Sequence, residues 1–337
     1  MRVLFIGLYP PHIGGIATHT FNLKRELEKQ GIKVYVLTYG RASGKRIRGT
    51  FVTKRLRGLS FLISASISGY LFARRKGIDL IHAHYLVPPG IVGVFLKLLL
   101  RKPLIVSAHG SDVYTHNSFL KFLSKLVFKF SDALISNSRA TKERLKELGG
   151  KNIYVIYNGV DFEKFRPLNM KREAITYIGS LEPVKNLGFL FEALRGFDEK
   201  VWIVGDGSER KRLEELAREL SLKVKFWGFR NDTCKILNKS KLLVLPSKFE
   251  GFGMVLLEAM ACDTPVLGRR TFGISEILDS RNGILFESKG ELRVGIENVL
   301  IDEKLRDSLI KNGRKTIKKF SWRESAKKVL EIYESLN

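Results

Sequence analysis

The sequence predicts an α/β protein of two consecutive doubly wound domains, and three observations lead there. The chain has 337 residues, enough for two domains with separate cores. Short apolar runs rich in β-branched residues alternate with helical stretches, as parallel sheets with crossover helices require. The alternation also starts afresh after a Gly, Asp and Pro cluster, "NGVDFEKFRP", at 158–167. The expected division is 1–160 and 161–319. An amphipathic last segment, about 320–337, is expected to pack back onto the first domain.

The elements follow in order. Val3 to Ile6 is a first strand, "GLYPPHIGG" a Gly/Pro turn, Ala17 to Gln30 a helix, and "KVYVLTY" a second strand. "DLIHAH", "PLIVSAHG", "DALISNS" and "IYVIYNG" continue the first sheet. "AITYIGS", "KVWIVGDG", "KVKFWGF", "KLLVLPS" and "TPVLGR" build the second. Ligand crevices in such sheets lie at the carboxyl ends of the strands.

Charge is unevenly distributed. Residues 1–160 hold 26 Lys/Arg against 7 Asp/Glu, a balance of +19, and residues 161–337 hold 33 against 27, a balance of +6. The basic half is suited to an anionic partner or surface. Leu59–Phe72 is uncharged and flanked by Arg55, Arg57, Arg74, Arg75 and Lys76, but 14 residues are too few to span a bilayer. Phe119–Phe130 sets Lys121, Lys125 and Lys129 on one helix face among Phe and Leu, a pattern that can lie in a headgroup layer. Two cysteines, Cys234 and Cys262, give neither a disulfide framework nor a metal spacing and suit a reducing compartment. No secretory leader is expected from "RVLFIGL".

The chemistry concentrates in "KFEGFGMVLLEAM", Lys248 to Met260. It follows a buried strand, and its glycines allow a sharp turn and close ligand approach. A helix starting near Gly253–Met254 presents free amides and a positive dipole end, an anion site. Glu250 before the turn and Glu258 inside the helix can accept hydroxyl hydrogen bonds. Together they suit a phosphorylated sugar or nucleoside.

Glu, seven residues, Glu in this setting resembles the signature of the retaining glycosyltransferases of the GT-B fold, family 4. "YPPHIGGIATHTFNLKREL", "SAHGSD", "YNGVDFEKFRP", "IVGDG" and "CDTPVLG" resemble further parts of that family in the same order. The resemblance implies two Rossmann-like domains facing a central cleft, an acceptor-binding one first and a donor-binding one second. It implies a nucleotide-diphosphate sugar as donor substrate, no cofactor and no metal. Gly14 and Gly15 match the loop that approaches the donor diphosphate, and His109 the histidine near the reacting sugar. Lys185 matches the lysine that neutralises the leaving diphosphate. Glu250 matches the carboxylate that positions sugar hydroxyls. Phe252, Gly253 and Met254 match the amide cradle, and Glu258 the carboxylate that binds ribose. Gly205 lies in the matching "IVGDG". Ser180 departs from the pattern, which has Arg there. The transferred group is expected to be a hexose or N-acetylhexosamine. The acceptor is expected to be lipid-linked or another glycan, at the cytoplasmic face of an anionic membrane.

The other histidines carry separate expectations. His82 and His84 end a strand and are read as facing opposite ways, with His84 toward the acceptor. His12 and His19 flank the glycine loop, where phosphate or acceptor contact is plausible, and His116 reads as surface. No set of His, Cys and Asp converges at zinc spacing. A sugar-nucleotide epimerase of the same fold is the alternative function, and a phosphorylase would need a longer chain. A nucleic-acid or membrane binder without activity would not need the glycine turn and carboxylate pair, and no nucleic-acid recognition motif is present.

Overall fold

The computed structural model describes residues 1–53, 55–114 and 117–336, so His116 lies outside the described residues. Two compact units emerge: Met1–Asn158 with Trp322–Asn337, and Gly159–Ser321.

The first unit runs β1 (Arg2–Ile6), α1 (Gly15–Lys29), β2 (Lys33–Thr38), β3 (Ser43–Gly44), β4 (Ile47–Gly49), α2 (Arg57–Lys76) and β5 (Leu80–His84). It continues with α3 (Ile91–Leu100), β6 (Leu104–Ala108), α4 (Ser118–Phe130), β7 (Ala133–Ser136), α5 (Arg139–Glu147) and β8 (Ile153–Val155). Its eight-stranded sheet has the order β3-β4-β2-β1-β5-β6-β7-β8. Among the described residues only the short β3–β4 pair of this sheet is antiparallel. β5 and β6 are buried along their whole length. Strands covered on both faces need such unbroken apolar runs, which is why these segments lack the alternation of a half-exposed sheet. Direction of growth reverses between β1 and β5, so the crevice of this sheet lies at their carboxyl ends.

The second unit runs β9 (Ala174–Ile178), α6 (Leu187–Ala193), β10 (Lys200–Val204), α7 (Arg210–Glu219), β11 (Lys223–Gly228), α8 (Thr233–Asn238) and β12 (Ser240–Leu245). It continues with α9 (Met254–Ala261), β13 (Val266–Arg269), α10 (Phe272–Ser275), β14 (Ile284–Phe286), α11 (Lys289–Ile301) and α12 (Glu303–Ile317). Its six parallel strands have the order β11-β10-β9-β12-β13-β14, with the reversal between β9 and β12. The opposite end is stapled by Arg172. Its guanidinium donates to the carbonyls of Leu237, Ser240, Cys262 and Asp263 and to Thr264 Oγ1, at 2.8–3.0 Å. Side-chain caps start α11 and α12: Ser288 accepts from the Glu291 amide and Asp302 from the Leu305 amide.

The last helix, α13 (Trp322–Ser335), belongs to the first unit and packs on α1. Trp322, Ala326, Val329 and Tyr333 are buried at helical spacing. The Tyr333 hydroxyl lies 2.6 Å from His82 Nδ1, and Ser325 Oγ donates to the Tyr157 carbonyl at 2.6 Å.

Helix α2 buries Phe61, Ala65, Gly69 and Ala73. It leaves Leu59, Ile63, Ile67 and Leu71 exposed, four residues apart each time, so they form one apolar stripe. Beside it, α3 exposes Phe95, Leu98 and Leu99, and α4 exposes Phe119 and Phe122. Among the described residues no helix is long and apolar enough to cross a membrane.

Candidate active site

The reversal point of the second sheet brings the central pair together. Lys185 ends a short turn after β9, and Glu250 lies in the loop after the neighbouring β12. Lys185 Nζ meets Glu250 Oε2 at 2.6 Å, with the side chains 19% and 17% exposed. The Ser247 hydroxyl donates to the same Oε2 at 3.2 Å. The Lys248 amide donates to the Val184 carbonyl at 2.9 Å, which ties the two loops to each other.

Helix α9 begins at Met254, where the sequence places it. Gly253 precedes it in the left-handed region, φ +89°, which residues with a Cβ seldom adopt. A Cβ there would also stand 3.5 Å from Glu250 Cγ, so the carboxylate stem lies directly beside the helix mouth. No side chain caps this end, and the first amides and positive dipole end remain available to an anion. Phe252 is buried and its ring lies edge-on to Phe320 at 5.7 Å. Glu258 sits one turn into α9. Burial pushes its carboxyl up to about 7, with Lys164 opposing and Asp161 adding to the shift.

Two other predicted residues follow neighbouring strands, Gly205 after β10 and Ser180 after β9. Gly205 is buried, φ +128°, and its Cα faces the Gly179 carbonyl so closely that no Cβ fits; its amide donates to the Gly228 carbonyl at 2.8 Å. The lack of a side chain lets the ends of β9 and β10 approach this closely. Ser180 is exposed, and its carbonyl accepts from the Tyr177 hydroxyl at 2.8 Å. Sequence reasoning missed Ser247, Tyr177 and Gly273. A Cβ on Gly273 would collide with the backbone of Glu250 and Gly251, so α10 packs directly under the carboxylate turn. The run "TFGIS" held no signal of that contact, which joins loops from different strands.

In the first unit, Gly14 (φ +129°) and Gly15 are exposed at the start of α1, in the loop after β1. His84 ends β5 and is fully buried. Its ring lies 4.2 Å from that of His82, which corrects the expectation that the two face opposite ways. Residues two apart on a strand share a face, and the pleat decides this irrespective of side-chain chemistry. His82 is fully engaged, by Tyr333 and by Ser107 Oγ at 2.7 Å. His12 Nε2 is engaged with the Tyr39 carbonyl at 2.8 Å.

His109 follows β6 in a loop fastened by Asp112, which accepts the amides of His109 at 2.9 Å and Leu86 at 3.0 Å. Burial holds the His109 and His84 imidazoles well below the usual histidine range and lowers His19 to about 4, so all three are neutral near pH 7. Their rings group closely: His19–His109 centroids are 4.6 Å apart and His19–His84 5.3 Å. A set of histidines thus does converge, contrary to the sequence expectation. The three come from α1, β5 and the loop after β6, so no local spacing could show it.

A phosphate-suited helix mouth, an ammonium–carboxylate pair and a second carboxylate one turn on narrow the choice of family, and comparison with known proteins settles it. The profile "Glycosyl transferases group 1" matches residues 161–316 and "Glycosyltransferase Family 4" matches 13–164. An uncharacterized glycosyltransferase of Methanocaldococcus jannaschii is 34% identical over 352 residues, covering 100% of this chain and 99% of that protein. The chain belongs to glycosyltransferase family 4. It is a retaining, nucleotide-sugar-dependent transferase with the GT-B fold. The transferase is also similar to an N-acetylgalactosamine-N,N'-diacetylbacillosaminyl-diphospho-undecaprenol 4-alpha-N-acetylgalactosaminyltransferase of Campylobacter jejuni, 30% identical over 271 residues, covering 72% of each. Among solved structures, sucrose-phosphate synthase from Thermosynechococcus elongatus superposes with a TM-score of 0.89 at 21% identity, over 99% of this chain and 98% of that one. Anabaena HepE in complex with UDP-glucose superposes with a TM-score of 0.84 at 22% identity over 100% of both chains.

Proposed function

We propose that the transferase moves a hexose or N-acetylhexosamine from a nucleoside-diphosphate sugar to a lipid-linked or other glycan acceptor at the cytoplasmic face of a membrane. The observation that carries this is the Lys185–Glu250 pair at the reversal point of the second sheet, beside the uncapped start of α9. In this reading the second unit binds the donor. The diphosphate draws Lys185 away from Glu250, and the freed carboxylate then accepts sugar hydroxyls. The Phe252–Met254 amides receive phosphate and sugar oxygens, and Glu258 accepts from ribose. The Gly205 and Ser180 loops hold the site's backbone.

Breaking the bond from the anomeric carbon to the diphosphate builds negative charge on the leaving oxygens. One charge-assisted hydrogen bond from Lys185 contributes about 1.5–3 kcal/mol, and fixed amide dipoles add to it without reorganising. The acceptor oxygen attacks on the face the leaving group departs from, which keeps the anomeric configuration, and the departing phosphate takes the acceptor proton. In the first unit the same reading gives His109 to the reacting sugar, the Gly14–Gly15 turn to phosphate, and the region of His84 to the acceptor.

The membrane part rests on the stripe Leu59, Ile63, Ile67 and Leu71 of α2, the exposed aromatics of α4, and the basic residues of both helices. The Campylobacter relative, whose name gives a diphospho-undecaprenol substrate, supports a lipid-linked acceptor.

A thermal-shift panel of nucleoside diphosphates and their sugars tests the donor assignment. A true donor at about 100 times its Kd adds roughly 2.7 kcal/mol of stability, and Lys185→Ala removes most of it. A panel without any responding nucleotide would discard the reading.

A further inference from the structure

The second unit holds a cavity of about 540 Å3 walled by β10, β11, α8 and the segment before β9. Its lining includes no residue of the loops that carry Lys185 and Glu250. Pockets of this size, with apolar walls and a few charged groups, take small organic ligands. Two of the chain's three tryptophans, Trp202 and Trp227, line it, and their rings meet edge-on at 5.5 Å.

Strand register shapes this wall. Lys200 pairs with Lys223 and Trp202 with Lys225 along β10 and β11. Ile203 then pairs with Phe226 but Val204 with Gly228, so Trp227 is an extra residue on β11. A bulge of this kind re-aims a side chain, and bulges concentrate beside functional sites. The Trp227 indole nitrogen is buried with no acceptor among the described residues. It can only donate, and an oxygen-rich ligand would satisfy it.

Six cations and two carboxylates line the cavity. Both carboxylates are spent, Glu173 on Lys239 at 3.3 Å and Asp232 on Arg230 at 2.8 Å, and Asp198 takes Lys223. Lys200, Lys225 and Lys235 form no ion pair among the described residues. Lys225 Nζ stands instead 3.8 Å over the Trp227 ring, a weak contact for an exposed cation. Lysines on an edge strand deter edge-to-edge pairing, which accounts for Lys223 and Lys225 on β11. It does not account for Lys200 on the inner strand β10 or for Lys235 on α8. Nor is the charge general to this half of the chain. Residues 161–337 have a balance of +6, and this one lining carries +4 of it.

We propose that the cavity binds a small organic phosphate, a nucleotide or a sugar phosphate, at a site separate from the donor site. Phosphate oxygens accept charge-assisted hydrogen bonds from Lys200, Lys225 and Lys235. The anion draws Lys225 off the indole, which opens a face of Trp227 to the base or sugar ring. The proposal stands independently of the donor and acceptor assignments.

The test is tryptophan fluorescence of the full chain titrated with AMP, UMP, glucose 1-phosphate and inorganic phosphate. Trp322 lies in the first unit, so quenching that Trp227→Phe removes reports on the cavity. At least one organic phosphate is expected to quench saturably with a Kd below about 1 mM, and to do so in Lys185→Ala as well. Lys200→Gln combined with Lys235→Gln weakens it by about tenfold or more. Both lysines are exposed, and circular dichroism checks that the double variant keeps its fold. A response to the nucleotides alone or to the sugar phosphate alone identifies the organic body. Absence of saturable quenching by all of them overturns the proposal. So does quenching that Lys185→Ala abolishes and the lysine pair leaves unchanged, which puts the ligand in the donor site. Inorganic phosphate binding as tightly as every organic phosphate overturns it too.

Discussion

Lys185 and Glu250 are 65 residues apart in the chain and 2.6 Å apart in the structure. They follow β9 and β12, the two strands where the sheet changes its direction of growth. In the proposed reading this pair holds a cation next to an uncapped helix start, where a donor phosphate competes with the carboxylate. Lys185→Met or Glu250→Gln is expected to lower kcat/KM by about 100-fold or more. The pair is partly exposed, so stability should change by about 1 kcal/mol or less. Steady-state transfer together with urea unfolding checks both numbers. Near-wild-type turnover in either variant would remove the pair from the site.

Gly273 supports the carboxylate turn from below. Gly273→Ala forces the Glu250 backbone to move, and a shift of about 1 Å near the reacting groups can cost roughly 100-fold in rate. The expected result is a loss of kcat larger than the loss of Tm. Gly205→Ala should do the reverse. It combines a positive φ with a collision against Gly179, and the expected cost is about 2–4 kcal/mol by denaturant midpoint.

Glu258 sets a pH dependence. Its carboxyl is raised from 4.5 to about 7 in the folded protein, first by burial. Between those values the native state holds a proton that the unfolded chain has lost. Stability is therefore complete below 4.5 and declines as pH rises through about 7. Glu258→Gln should flatten that decline and weaken nucleotide binding. Urea midpoints of both proteins at about pH 5 and about pH 8 test this, and an equal decline in the two would refute the assignment.

The α2 stripe makes a prediction of its own. Ile67→Glu and Leu71→Glu change exposed positions, so Tm should hold while partition onto anionic vesicles falls roughly tenfold per site. Lysine-to-glutamine changes at Lys121 and Lys125 should weaken the partition further and reduce its salt dependence. Unaltered partition across these variants would leave the apolar face without a lipid role.

Much of this was written in local sequence. The restart of strand–helix alternation gave two sheets. "EGFG" gave the turn and the α9 start, because the left-handed conformation that Gly253 adopts strongly favours glycine. Contacts between loops of different strands were not legible. Gly273 under Glu250, Asp112 clamping Leu86 and His109, and Ser247 on Glu250 each join residues whose separation in the chain carries no pattern. The shared face of His82 and His84 follows from the strand period, which sets residues two apart on the same side.

By itself the sequence determined the α/β class, the order of elements and the segments that carry chemistry, since hydrophobic period and glycine placement act over neighbouring residues. Tertiary structure alone decided which loops meet. Where the sheet order reverses, β9 lies against β12 and β1 against β5, and crossover connections fix that order at long range. Only there do Lys185 and Glu250 become a pair, and only after β5 and β6 lie side by side do three scattered histidines become a cluster.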